Sequence, residues 1–203
     1  METKSERIGK FLFLLLIVGA ICSCLSLIGS VIAVWDELFY FDYVGWIDAS
    51  LGVFNFVLGW LTVILFLFWI YHVHKDFRQI AWNYPVTPGD ALARIIVPLY
   101  NLIGLWTVYS DMAKFLTKMD DKTKMYGKRL LNLIPFYYIG QMIYRYLNQM
   151  LLRDDNPSNS LIMWALVLEI LVSLMYICMF VLITGGLKAV QEHKLSEQAA
   201  TEG

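Results

Sequence analysis

The residues best placed to do chemistry lie where an apolar chain should have none. Between Leu130 and Leu152, Tyr137, Gln141, Tyr144, Arg145, Asn148 and Gln149 recur at spacings of three and four. Those spacings put them along one face of an α-helix. Within a bilayer such a face must point at other helices or at water, because each polar group left unsatisfied in lipid costs several kcal/mol. The run Leu161 to Leu187 holds one charge, Glu169. At about 1.5 Å per residue, Arg145 sits roughly 10 Å and Glu169 roughly 12 Å from the outer ends of their runs. The matched depth predicts an Arg145 to Glu169 ion pair, direct or joined through Gln141, Asn148 or Gln149. An isolated charge at that depth costs at least about 2.5–3.5 kcal/mol. Such a pair either fixes helix packing or marks a path for an ion or solute.

A second set lies between Tyr84 and Tyr109. Thr87-Pro88-Gly89-Asp90 combines an N-cap residue, proline at the first helical position and an acid three residues after the cap, so a helix starts there. Pro98 removes a backbone donor and leaves the Arg94 carbonyl without its intrahelical partner, which predicts a kink or break. Asn101, one turn on, is positioned to supply the missing hydrogen bond. The run His72-x-His74-x-Asp76 suggests metal ligands, but residues two apart on a helix do not converge. Cys22, Cys24 and Cys178 fall inside apolar runs and are expected to pack as small hydrophobic side chains.

The elements that must position these groups are membrane helices. Of the 203 residues 59% are hydrophobic and 16% charged, against roughly 45–50% hydrophobic in a soluble domain. Phe11 to Val34 carries no charge and is long enough to cross a hydrocarbon core of about 30 Å. Its small residues Gly19, Ser23, Ser26 and Ser30 offer a face for close helix contact. Leu51 to Tyr71, Leu130 to Leu152 and Leu161 to Leu187 complete four expected spans. The last is closed by Gly185-Gly186 and Lys188. Lys4, Arg7 and Lys10 before an apolar run resemble a signal peptide, and Ile21-Cys22-Ser23-Cys24 a lipoprotein cleavage box. The run stays apolar beyond Cys24, which predicts a retained anchor.

Charge sets the orientation. Trp35 to Ser50 is acidic and aromatic, without Lys or Arg, and is expected to be an outer interfacial loop. Lys114, Lys118, Lys122, Lys124, Lys128 and Arg129 follow the Pro98 stretch. If that stretch crossed the membrane they would lie outside, against the positive-inside rule. Keeping it on the cytoplasmic side places 13 of the 16 Lys and Arg residues inside. The expected fold is therefore an all-α polytopic bundle with four transmembrane helices and one broken re-entrant or interfacial helix over about 88–116. Residues 1–10 form a cytoplasmic N-terminus, 11–190 a single membrane domain, and 191–203 a polar tail expected to be disordered. Both termini are expected in the cytoplasm of a cell-membrane protein.

Trp69 and the polar run after it, Thr87-Pro88-Gly89, Ile96-Val97-Pro98-Leu99-Tyr100-Asn101-Leu102 and Trp106 resemble the DUF4328 family of bacterial membrane proteins of unknown function. The matching core runs from about Leu65 to Phe115. The chain departs from the family at His72, at Asp76 and at Ile103-Gly104, where members tend to carry Arg, Asn and Arg-Pro. The resemblance implies a multi-span membrane protein and no particular activity.

The chain holds three histidines, scattered acids and no Gly-x-Ser-x-Gly, His-Glu-x-x-His or phosphate-loop pattern, so neither an enzyme nor a cofactor or metal is expected. A net charge of −1 gives no basic surface for nucleic acid. The expected partners are the lipid bilayer and a protein, either another chain or a second copy. Two functions remain: an interaction or assembly protein, and a small transporter or channel subunit using Pro98, Asn101 and the polar face of the third span.

Overall fold

The structure is a computed structural model. It describes residues 3–154 and 157–202, with the side chains of 98–102, 198 and 200–202 excepted. The described residues fold into six helices: α1 (Lys4–Trp35), α2 (Glu37–Ile80), α3 (Pro88–Ile96), α4 (Pro98–Thr117), α5 (Asp121–Arg153) and α6 (Asn159–Glu202). No strand occurs among them.

Helices α1, α2 and α6 are long and apolar enough to cross a membrane. Much of their apolar surface is open, including Phe11, Leu14, Ile28, Phe54, Phe56 and Trp60. Soluble chains rarely expose contiguous apolar area on that scale, whereas lipid covers it without cost. Helix α5 has the length of a span, with 33 residues, but its polar face keeps it out of the strongly apolar class.

Three expected boundaries change. The stretch expected to be an outer loop is helical: Asp36 caps α2, its carboxylate accepting the Phe39 amide at 3.0 Å, and the chain passes through a π turn at Tyr40–Val44 into the body of the helix. Tyr40 OH donates to Asp48 at 2.9 Å, which ties the π turn to the α-helical turn beyond it. The polar tail is helical to Glu202 rather than disordered. It is rich in good helix formers such as Lys, Gln, Glu and Ala. Its start is also held by Lys122 to Glu192 at 2.6 Å and by a hydrogen bond from Lys194 to the Ile80 carbonyl. Gly185-Gly186 does not end α6. A Cβ at Gly185 would fall 2.6 Å from the Tyr126 ring, and one at Gly186 2.8 Å from Leu116, so these glycines admit α5 and α4 side chains.

The chain divides into two compact units. The first joins Met1–Leu12, Leu65–Phe136 and Cys178–Gly203. Its core takes Trp69, Val73 and Phe77 from α2, Met112 and Leu116 from α4, and Met179, Ile183 and Leu187 from α6. These sets recur every three or four residues and so face one way on each helix. Tyr84, on the segment after α2, stacks on Phe77 at 5.1 Å and meets Phe115 edge-on at 4.9 Å. Gly127 lets α5 approach α4, since a Cβ there would fall 2.7 Å from the Ala113 carbonyl oxygen.

The second unit joins Phe13–Ile64 and Tyr137–Ile177. Gly19 of α1 meets Leu58 and Asn55 of α2, Gly29 meets the Asp48 carboxyl, and Gly140 of α5 meets Val172 of α6. Small residues at helix contacts are what apolar helices require, because packing rather than water exclusion holds them together in lipid.

Candidate functional site

Glu169 is the centre of the second unit's polar groups, and all four long helices supply them. Ser23 Oγ of α1 donates to its Oε1 at 2.7 Å, and Asn55 Nδ2 of α2 lies 3.4 Å from the same oxygen. Tyr144 OH of α5 donates to Oε2 at 3.1 Å. Asn55 also donates to Ser23 Oγ at 3.3 Å, so the serine hydroxyl accepts from one neighbour while serving the carboxylate. A cavity of about 470 Å³ opens beside the cluster, bordered by Ser26, Gly52, Gly59, Thr62, Leu166 and Ser173 as well as by Glu169 itself.

The expected Arg145 to Glu169 ion pair is not formed. Arg145 is exposed, and the carboxylate is satisfied by neutral donors. The cause is angular: one residue along an α-helix is a turn of about 100°, so once Tyr144 faces Glu169 its neighbour points elsewhere. The rest of the α5 face is shared out too. Gln141 donates to Tyr137 OH at 3.2 Å, and Tyr137 stacks on Tyr176 of α6 with ring centres 6.0 Å apart. Asn148, one turn beyond Tyr144, is half-buried. Ser23 and Asn55 were not singled out as functional residues. Their signal was nonetheless there: Asn55 is an amide near the start of the charge-free run Leu51 to Tyr71, and Ser23 is the serine four residues after Gly19.

The first unit holds a second polar cluster. Thr87 caps α3 as expected, its hydroxyl accepting the Asp90 amide at 3.1 Å, with half-buried Pro88 in the first turn and Gly89 exposed. The helix breaks at Val97, which is extended at φ −71° and ψ 121°, and restarts at Pro98. The side chains of Pro98 and Asn101 lie outside the described residues, so the expected Asn101 hydrogen bond is not described. What lies against the Arg94 carbonyl is Gly104, where a Cβ would fall 1.7 Å from that oxygen. Arg94 pairs with Asp90 at 2.8 Å and with Asp111 of α4 at 2.9 Å, clamping the two arms of the broken helix. Burial pulls the Arg94 pKa down, but the hydrogen bonds to Asp111 and Asp90 outweigh it and the net shift is upward. A cavity of about 610 Å³ borders the clamp, lined by Asp90, Arg94, Val97, Ile103, Gly104 and Thr107.

His74 is fully buried and its Nδ1 shares a 2.7 Å hydrogen bond with Tyr84 OH. Burial, and then the Arg94 charge, push its pKa down to about 3. Burial and then Asp111 push the Tyr84 hydroxyl up. His72 instead bonds the Phe68 carbonyl through Nδ1 at 2.8 Å. Among the described residues, no group of three or more His, Cys, Asp or Glu is placed to hold a metal.

No family model, no curated protein and no solved structure matches this chain.

Proposed function

We propose that this chain is a four-span integral membrane protein that passes or holds a small solute in the chamber beside Glu169. The observation that carries the reading is the convergence of Ser23, Asn55 and Tyr144, from three helices, on one carboxylate bordering a cavity of about 470 Å³. Polar groups drawn inward from several apolar helices mark solute and ion sites more often than lipid-facing surface. The fourth span is α5. Its polar residues bond one another and Glu169, which supports placing an otherwise weakly apolar helix in the bilayer. The positive-inside distribution supports cytoplasmic termini and a re-entrant α3–α4 hairpin. The resemblance to the DUF4328 family belongs to this proposal and rests on Thr87-Pro88-Gly89 and the run Ile96 to Leu102.

The test is cysteine accessibility in a background without Cys22, Cys24 and Cys178. Ser26→Cys and Ser173→Cys, both beside the cavity, are expected to react with a membrane-impermeant thiol reagent in intact membranes. If they react only with a lipid-soluble reagent, the chamber is closed to water and the solute path is wrong.

One observation favours the alternative of an interaction protein. Ile96, Val97 and Ile103, at the break between α3 and α4, are exposed beside the Arg94 clamp. If α3–α4 stays out of the bilayer, these side chains form an apolar surface for another protein or a second copy.

A further inference from the structure

We infer that the chamber beside Glu169 binds a hydrophobic monocation, of the tertiary amine, quaternary ammonium or phosphonium class, whose charge faces the Glu169 carboxylate. The inference rests on the solute reading above and names its ligand.

Charge decides the sign. Glu169 takes hydrogen bonds from a serine, an asparagine and a tyrosine, all neutral, and no cationic side chain pairs with it among the described residues. Neutral donors orient and partly solvate a carboxylate, but they leave its net charge uncancelled in a medium that screens poorly. An anionic solute would be repelled there.

Donor chemistry then separates an organic cation from a bare one. A hard metal cation takes about six or more oxygen ligands presented as acceptors. Here Glu169 is the one carboxylate among the residues that line the cavity, so the site offers a hard cation a single anionic ligand. An organic cation asks less, because its charge needs only to approach the carboxylate while its apolar groups need a wall. Leu15, Leu16, Leu58 and Leu166 supply that wall, and Gly19, Gly52 and Gly59 keep it wide. The cavity of about 470 Å³ falls within the range of about 300–1,000 Å³ that holds drug-sized ligands. Tyr144 adds an aromatic ring at the cavity edge, a further attraction for a desolvated cation.

The test uses the full chain purified in detergent micelles, with radiolabelled tetraphenylphosphonium as the probe in equilibrium dialysis. Saturable binding is expected. Glu169→Gln keeps an acceptor oxygen for Ser23 and Tyr144 but removes the charge. It should weaken binding at least about tenfold, equivalent to about 1.4 kcal/mol. Glu169→Asp keeps the charge and should bind within a few-fold of the parent, with elution profile and circular dichroism confirming that each variant folds. Neutral triphenylphosphine oxide should compete poorly, and millimolar sodium not at all. Absence of saturable binding by the parent chain, equal binding by Glu169→Gln, or displacement by sodium each overturns the inference. Accessible cysteines at 26 and 173 without tetraphenylphosphonium binding would sink the ligand class and leave the chamber reading standing. Binding without accessibility would do the reverse, and failure of both would remove both.

Discussion

Consider removing the donors on Glu169 one at a time. Ser23→Ala deletes the shortest bond, at 2.7 Å from an almost fully buried serine; Tyr144→Phe deletes one at 3.1 Å; Asn55→Ala deletes one at 3.4 Å that is long for any hydrogen bond. In water-soluble proteins a bond to a charged group is worth about 1.5–3 kcal/mol. Between membrane helices, measured couplings average about 0.6 and reach about 1.7 kcal/mol, because the unfolded chain in lipid also finds partners. Glu169 keeps two donors after any single loss, so the membrane range applies. The expected losses are about 1.5 kcal/mol for Ser23→Ala, about 1 for Tyr144→Phe and below about 0.5 for Asn55→Ala. The assay is reversible unfolding in mixed micelles, repeated in a Glu169→Ala background, which removes both acceptor oxygens, so that the double-mutant cycle isolates each pair. Arg145→Ala serves as the control, with coupling to Glu169 below about 0.5 kcal/mol, the level of independent sites. If Arg145 couples to Glu169 more strongly than Ser23 does, the neutral-donor network is wrong and the ion pair read from the sequence is right.

Gly104→Ala should destabilise by about 3 kcal/mol or more, above the usual about 1–3 for overpacking, because its Cβ would meet the Arg94 carbonyl 1.7 Å away and neither side is a flexible side chain; unfolding in micelles measures it, and a loss below about 1 kcal/mol would mean that the α3–α4 packing is looser. Thr87→Ala should cost about 1 kcal/mol through loss of the α3 cap and leave the Glu169 cluster untouched, read by the same unfolding assay alongside tetraphenylphosphonium binding. His74 has a pKa lowered from 6.5 to about 3 in the folded chain, so between those values the unfolded chain binds more protons. Stability should then fall as pH drops from 6.5 toward 3, by up to about 1.4 kcal/mol per pH unit. His74→Phe should flatten that slope in a melting series against pH, and an unchanged slope would place the titrating group elsewhere.

The helical runs were legible because apolar length is a composition property, visible before any packing is known. So was the start of α3, since the cap at Thr87 and the proline at 88 act locally. The break before Pro98 was legible for the same reason: a missing N–H does not depend on distant residues. The boundaries were harder. The stretch from Glu37 to Ser50 looked like a loop for its charges and aromatics, yet it stays helical because Asp36 caps it and Tyr40 reaches Asp48 across the π turn. The tail looked disordered for its polarity, yet Glu192 and Lys194 find partners more than sixty residues away in sequence.

The Glu169 cluster marks where reading depth along a helix stops being enough. Depth alone paired Arg145 with Glu169, and depth was sound for Tyr144 as well, since the two are adjacent. What depth omits is azimuth, and a step of about 100° separates the residue that meets the carboxylate from the one that does not. The choice falls to neighbours. Gly140 sets α5 against Val172 of α6. It lies four residues before Tyr144, so the face that packs also carries the tyrosine. Selecting tyrosine rather than arginine leaves the carboxylate oriented but not neutralised, with space at its side. An arginine there would have cancelled the charge within the protein. The neutral set leaves the cancellation to something that enters from outside, which is why the same geometry that contradicts the ion pair favours a cationic ligand.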